Sequence, residues 1–282
     1  MATTGSAKLA GVIGWPVSHS LSPRLHGYWL KHYSIDGAYV PVAVQPDDLH
    51  EILRALPKMG FKGANVTVPH KESALSAMDH VSNVARRLGA INTITIDENG
   101  FLWGDNTDGA GFIESLRNNV SGLNFSDCKP IVIGAGGVAR AIVASLQDAG
   151  VPEVQLVNRT LERAQTLARD LQGNITVWPW ETVLDAAQNA NVLINTTSLG
   201  MTGHDPLNID FTNLPDTILV TDVVYNPLMT PILMQALDNG NAIVDGLDML
   251  LYQARPGFTA WFGVEPKVTR ELRDFVLEGF EA

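Results

Sequence analysis

Short runs of β-branched and apolar residues alternate with stretches whose apolar positions recur at helical spacing, almost from end to end of the chain. This is the α/β pattern. "LAGVIG" reads as a strand ending in the loop "GWPVSHSL", after which Ser22 and Pro23 stand as N-cap and first helical position of "PRLHGYWLKHY". "AYVPVAV" is a strand, "PDDLHEILRALPKM" a helix, and "GANVTV" a strand that runs into Pro69 and a helix beginning near "HKESALSAM". "INTITI" and "FLWGD" flank an Asn99-Gly100 pair, a strong hairpin signal. A helix, "GAGFIESLRNN", then leads into a polar stretch, "SGLNFSDCK", the candidate linker. Beyond it the pattern restarts with strand "PIVIG", helix "VARAIVASLQDAG", strand "EVQLVNRT" and helix "LERAQTLARDL", followed by strands "NVLINTTS", "TILVTDVVY" and "NAIVDG". No internal repeat, low-complexity tract or coiled-coil heptad interrupts this order.

A length of 282 residues with 45% hydrophobic and 17% charged positions supports a full core and roughly two domains. Every apolar run is broken well before the roughly 18 residues a membrane helix needs, and "MATTGSAKLA" lacks the basic and apolar regions of a secretory signal. The single cysteine, Cys128, forms no internal disulfide and no cysteine-based zinc site, which fits a reducing, cytoplasmic setting. A net charge of -11 argues against nucleic acid or anionic lipid as partner. An anionic ligand must therefore be held by a local cluster.

One such cluster follows the sixth strand. "IVIGAGGVAR" is an apolar strand that stops at Gly134 and reopens as a helix after Gly137, close to the fingerprint in which small residues let backbone amides and a helix N-terminus meet a pyrophosphate. By itself the triplet is equally an ordinary strand-to-helix turn. The end of the next strand weighs for the nucleotide. There an NAD enzyme usually carries an acid for the ribose hydroxyls, whereas "QLVNRTLER" supplies Asn158, Arg159, Thr160 and Arg163. Arginines at that place suit a 2′-phosphate, which an acid would repel, and cations at a helix start otherwise oppose the dipole. The pocket thus reads as NADP-selective.

The first half holds two polar segments at strand ends, "SHSLSP" and "GDNTDG", where ligands of open α/β sheets sit. Ser18, Ser20 and Ser22 are open to both readings, ligand contacts or caps and turns, with Ser22 the favoured helix cap. Lys71 follows "NVTVPH" at the start of a helix, where the dipole disfavours its charge and lowers its pKa; it is a candidate proton donor and acceptor, or else a plain solubilising lysine. His19, His26 and His70 lie nearby in sequence and receive no role.

The ordered segments "SHSLSP", "NVTVPHKE", "GAINTI", "GDNTDG", "GAGGVAR", "NRT" and "DGLDMLLYQA" resemble the shikimate dehydrogenases, covering nearly the whole chain. The resemblance implies NADPH-dependent, reversible reduction of 3-dehydroshikimate to shikimate in aromatic amino acid (chorismate) biosynthesis. It implies two α/β domains separated by a cleft: a discontinuous substrate domain, residues 1–114 with 245–282, and a Rossmann-type NADP domain, residues 115–244. Lys71 and Asp108 match the family's catalytic pair. Ser20 and Ser22 match its carboxylate-holding serines, and Thr67, Asn92, Asp108 and Gln253 its hydroxyl-holding residues, with Asn65 and Tyr225 close by. Gly134, Ala135, Gly136, Gly137 and Val138, with Asn158, Arg159, Thr160 and Arg163, match its NADP site; Val223 and Gly246 match backbone positions near the nicotinamide. No metal is implied, and the enzyme is expected as a monomer or homodimer. "QARPGFTAWFG" departs from the family pattern in its Pro256-Gly257 break and following aromatics. The competing readings are a quinate/shikimate dehydrogenase of broader range, disfavoured by the missing acid at the second strand, and a non-catalytic sensor, disfavoured by retention of Lys71 and Asp108.

Overall fold

The alternating pattern resolves into two six-stranded sheets, each at the centre of its own unit. The computed structural model describes residues 3–210 and 214–280. The first unit takes the chain up to Thr107 and again from Gln253, and the second runs from Asp108 to Tyr252.

In the first unit β1 (Lys8–Gly14) pairs in parallel with β2 (Gly37–Ala43) and β3 (Phe61–Val66), while β3 pairs antiparallel with β5 (Thr93–Ile96) and β5 with β6 (Leu102–Asp105). A two-residue edge strand, β4 (His80–Val81), lies beside β6. Helices α1 (Ser22–His32), α2 (Leu49–Ala55) and α3 (Asn83–Leu88) complete the first segment. One apolar face gathers Ile13, Leu53, Phe61, Ile91, Ile94 and Leu102. The returning chain adds α9 (Leu247–Phe262) and α10 (Arg270–Leu277), and the Trp261 indole donates to the Ile94 carbonyl at 2.9 Å.

The second unit begins with α4 (Asp108–Asn119) and is a wholly parallel sheet. Its strands are β7 (Pro130–Ile133), β8 (Val154–Val157), β9 (Ile175–Trp178), β10 (Val192–Asn195), β11 (Leu219–Asp222) and β12 (Ile243–Val244). Their spatial order, β12-β11-β10-β7-β8-β9, is that of a doubly wound nucleotide fold, reversing between β7 and β10. The connections include α5 (Gly137–Asp148), α6 (Leu161–Leu171), α7 (Val183–Gln188) and α8 (Pro231–Asp238). Helix α4 sits against α5 at Gly109, where a Cβ would run into the Ser145 side chain and meet the Ala141 carbonyl at 2.6 Å. This packing places α4 with the second unit, ahead of the sequence-based boundary near residue 115.

Several expected elements take a different form. The helix expected over residues 46–59 is divided into a 3₁₀ turn, α2 and a second 3₁₀ turn at Leu56–Met59, because Pro57 brings no amide hydrogen and restrains Leu56. The "HKESALSAM" helix is only a 3₁₀ turn, Ser73–Ala77, in which the Ser76 hydroxyl bonds the Ser73 carbonyl and competes with the helical ladder. Ser22 is the first helical residue and not the cap; the helix begins after Leu21, and the Ser20 hydroxyl accepts from the Ser22 amide at 3.3 Å. Pro256 does not break α9, which continues to Phe262. Buried Phe258, Trp261 and Phe262 outweigh the roughly 3 kcal/mol cost of an interior proline, and Gly257 lets the Trp261 ring close in. Elements without a strong sequence signal, β4, α3, β9, α7 and α8, fill the remaining connections.

Gly63 marks where α9 seals the first sheet. Its φ is +156, and a Cβ there would be directed into Ile94 O and the Trp261 indole, so the site has no room for a methyl group. Gly63→Ala is expected to destabilise the protein by about 2–4 kcal/mol, from strain, overpacking and loss of the Trp261–Ile94 hydrogen bond. Thermal or urea unfolding measures this, and a loss below about 0.5 kcal/mol, the level of an ordinary surface substitution, would refute the account.

Candidate active site

The polar residues of the first unit collect at the carboxyl ends of β1 and β3 and at the amino end of the antiparallel β5. Parallel pairing of β1 and β3 brings their following loops side by side, and backbone bonds join them: Trp15 N–H to Val68 O at 3.1 Å and Thr67 N–H to Ile13 O at 2.9 Å. A Cβ on Gly14 would stand 2.5 Å from the Thr67 side chain, so a glycine is what permits Thr67 to lie there. Lys71 occupies the turn before the short 3₁₀ segment, so the α-helical first turn that was expected to tune it is absent. The backbone nevertheless fixes its place. The Lys71 carbonyl accepts from Ile91 N–H at 2.8 Å, and the neighbouring buried His70 ring bonds the Val44 carbonyl at 2.8 Å.

From this floor rises a connected set of buried amides and hydroxyls. Asn65 is the penultimate residue of β3, and its Nδ2 donates to Asn92 O at 3.0 Å and to Thr93 Oγ1 at 3.2 Å. Asn92 Oδ1 accepts from Thr93 Oγ1 at 2.9 Å and from Thr107 N–H at 2.9 Å, while its Nδ2 donates to Gln253 Oε1 at 3.3 Å. Thr107 Oγ1 donates to the Gln253 carbonyl at 2.8 Å. Tyr39 donates to Asn65 Oδ1 at 2.6 Å. Asn65, Asn92 and Gln253 are thus joined although they come from distant parts of the chain. Sequence reasoning missed three of the connectors, Tyr39, Thr93 and Thr107. Tyr39 and Thr93 had been absorbed as strand residues, and their signal was only a polar group on a strand otherwise expected to be apolar.

Asp108 and Tyr225 belong to the second unit. Asp108 opens α4 directly after Thr107 and is buried; Tyr225 follows β11 and is half-buried, with burial pushing its phenol pKa up.

The glycine loop has the form that its sequence predicts. Gly134 has φ +116, and a Cβ there would lie 2.5 Å from Thr196 Oγ1, so the turn depends on glycine. Gly136 caps α5 and Gly137 opens it, and a Cβ on either would meet nothing within 4 Å, which leaves their backbone amides approachable from outside. Ala135 and Val138 complete this turn. Asn158 follows β8, and its side chain donates to Thr160 O at 2.8 Å; Arg159, Thr160 and Arg163 are exposed beside it. Cations and open glycine amides on one edge of a sheet suit a phosphorylated dinucleotide.

At β11 the chain makes a second tight approach. A Cβ on Gly246 would stand 2.6 Å from Val223 O and 2.7 Å from Val224 O, so these two segments touch through their backbones. Asp222 organises the turn. Its carboxylate, 1% exposed, accepts from Val224 N–H at 2.9 Å, Asn195 Nδ2 at 3.0 Å and Thr230 Oγ1 at 2.7 Å. Burial pushes its pKa up to about 6, against those hydrogen bonds, which favour the charged form. Neither Asp222 nor Asn195 was foreseen; a strand ending in aspartate was the available signal.

Residues 12–94 match a family model described as the shikimate dehydrogenase substrate binding domain, and residues 115–202 one described as shikimate / quinate 5-dehydrogenase. A shikimate dehydrogenase (NADP(+)) of Paramagnetospirillum magneticum is 55% identical over 274 residues, 97% of this chain and 99% of that protein. Among solved structures, shikimate 5-dehydrogenase from Thermus thermophilus in complex with NADP(H) and shikimate is 34% identical, with a TM-score of 0.86 over 96% of this chain and 99% of that one. Quinate dehydrogenase from Corynebacterium glutamicum in complex with NAD is 30% identical, with a TM-score of 0.89 over 96% and 99% of the two chains. Identity at this level along nearly the full length, joined to a glycine turn and polar strand ends at the places described, identifies the chain as a member of the shikimate dehydrogenase family.

Proposed function

We propose that the chain catalyses the reversible NADPH-dependent reduction of 3-dehydroshikimate to shikimate, in the cytoplasm, as a step of aromatic amino acid biosynthesis. The observation that carries the proposal is the joining of Asn65, Asn92 and Gln253 in one hydrogen-bonded shell beside the Thr67–Lys71 loop. A small polyhydroxylated acid offers hydroxyls and a carboxylate in fixed directions, and a dense, pre-bonded set of amides and hydroxyls recognises such a pattern at low reorganisation cost. Ser20 and Ser22 take the carboxylate; Thr67, Asn92 and Gln253 take ring oxygens; the family resemblance adds Tyr225 and Asp108.

Bound NADPH supplies the hydride. Gly134 through Val138 accommodate its pyrophosphate with backbone amides, Arg159 and Arg163 with Asn158 and Thr160 take the 2′-phosphate, and the Val223 and Gly246 backbones line the nicotinamide side. Reduction of a ketone leaves negative charge on oxygen, so a protonated group within reach of that atom lowers the barrier. Lys71 Nζ holds that proton in the reduction and accepts it in the oxidation, with the Asp108 carboxylate as its partner. No helix among the described residues is long and apolar enough to cross a membrane.

Lys71→Ala and Asp108→Asn are each expected to lower kcat by about 10² to 10⁴ with a smaller effect on NADPH affinity, and the double variant to lose less than the product of the two. Steady-state turnover with 3-dehydroshikimate and NADPH checks both; a variant within tenfold of the parent removes its residue from the role, and a parent inactive on this substrate removes the function.

Arg159→Ala is expected to reduce kcat/KM for NADPH by about 10- to 100-fold while NADH use stays nearly constant, because a charge-assisted hydrogen bond to phosphate is worth about 1.5–3 kcal/mol and only NADPH has that phosphate. Equal losses for the two cofactors would assign Arg159 to the fold. A parent that prefers NADH, or quinate over shikimate, would favour the broader quinate/shikimate reading.

Asp222 gives stability a pH dependence. Its folded-state pKa of about 6 lies above the ordinary 3.8, so the folded chain holds the proton more tightly than the unfolded chain. The stability from this group is therefore full below the ordinary carboxylate value and is lost as pH rises through about 6. Urea unfolding of the parent and Asp222→Asn from about pH 7.5 to about pH 5 should show the parent gaining on the variant as pH falls. A constant offset across that range would contradict the assignment.

A further inference from the structure

Tyr39 lies on β2, outside every segment that carries the family resemblance, yet it bonds to Asn65, one of the residues assigned to the substrate. Backbone groups fix the direction of the bonds around it. Asn65 Nδ2 faces the Asn92 carbonyl, which can only accept, so Asn65 Oδ1 is turned the other way and requires a donor. The Tyr39 hydroxyl is that donor, at 2.6 Å. Asn92 is fixed in the same manner: its Oδ1 faces the Thr107 amide, which can only donate, so its Nδ2 points to Gln253 Oε1. Thr93 Oγ1 accepts from Asn65 and gives its own proton to Asn92 Oδ1. The bonds therefore run in one sense, from Tyr39 through Asn65, Thr93 and Asn92 to Gln253.

The phenol has its one proton committed to Asn65. The ring itself has little freedom. His26, fully buried, stacks on it at 3.9 Å with planes 9° apart, and Trp261 lies at 5.9 Å. Burial keeps the His26 imidazole neutral by pulling its pKa down to about 3, so the stack carries no charge to compete for the phenol.

We propose that Tyr39 is a positioning residue for substrate: its hydroxyl sets the orientation of the Asn65 amide, so that the shell from Asn65 to Gln253 is ordered before the ligand arrives. This rests on the function proposed above and adds to it a residue that touches neither cofactor nor reacting atoms. Ordering a binding shell in advance lowers the cost of binding without changing the chemical step, so its loss should fall on substrate affinity.

Tyr39→Phe removes only the hydroxyl and keeps the ring in its stack. The expected result is a rise in KM for shikimate of about fivefold to twentyfold, with kcat falling no more than about threefold and KM for NADP within about twofold. A separate measurement needs no substrate: in the ¹⁵N-labelled protein, the Asn65 side-chain amide hydrogens should exchange at least about tenfold faster in the variant. Shikimate KM within twofold of the parent, or a parallel loss in both KM values and in Tm, would overturn the proposal and mark the hydroxyl as a general stabiliser. A parent that fails to turn over shikimate would overturn the function instead, and the exchange rate would still decide whether Tyr39 orders Asn65.

Discussion

A buried amide must find partners for both its oxygen and its nitrogen, and in the first unit that requirement falls on Asn65 at the point where the sheet changes from parallel to antiparallel pairing. On one side β3 runs with β1, which sets two strand ends and their loops together and places Thr67 and Lys71. On the other side β3 meets β5, and the backbone carbonyl of Asn92, just before that strand, takes the Asn65 nitrogen. An apolar residue at this position would leave the buried Tyr39 hydroxyl without an acceptor, at about 1–3 kcal/mol, while the Asn92 carbonyl would keep the Val66 amide, 2.8 Å away. One side chain thereby ties the arrangement of strands to the polar shell above them.

The second unit solves a different problem with the same economy of parts. A parallel sheet opens its crevice where the strand order reverses, between β7 and β10, and the loops of those two strands meet as Gly134 against Thr196. The turn is held from the β10 side by Thr196 Oγ1, which donates to Ile133 O at 2.7 Å, and the loop after β11 is held by Asp222 and Asn195. Polar side chains on one strand end thus shape the backbone of the next.

Much of this was legible in the amino-acid order. Strands such as "PIVIG" and helices such as "VARAIVASLQDAG" carry strong periodicity, and the glycine turn and its basic neighbour depend on local chemistry that sequence displays directly. Elements of two to eight residues, such as β4, α7 and α8, were not legible because tertiary packing and not local pattern maintains them. The same holds within the site. Ser20 and Asn92 stand in segments rich in polar residues, whereas Tyr39 stands in a strand of β-branched and aromatic residues where a tyrosine is unexceptional. Its role depends on a partner 26 positions away, a separation that periodicity does not encode. The reverse error, the supposed break at Pro256, arose from a strong local rule overridden by the burial of three aromatic rings.

The return of the chain to its starting unit has a consequence for how the protein is made. The Trp261 indole closes on Ile94 across 167 positions, and Trp29 Nε1 reaches the Lys267 carbonyl across 238, so the first sheet cannot complete its core until the last helices have been synthesised. The second unit, from Asp108 to Tyr252, is continuous in sequence and has no such wait. During synthesis the second unit can therefore gather its contacts while the first still lacks the segments that bond to Ile94 and Trp29. The first sheet thus closes only when segments far apart in sequence meet, and the loop-closure cost of its core falls on those long-range contacts.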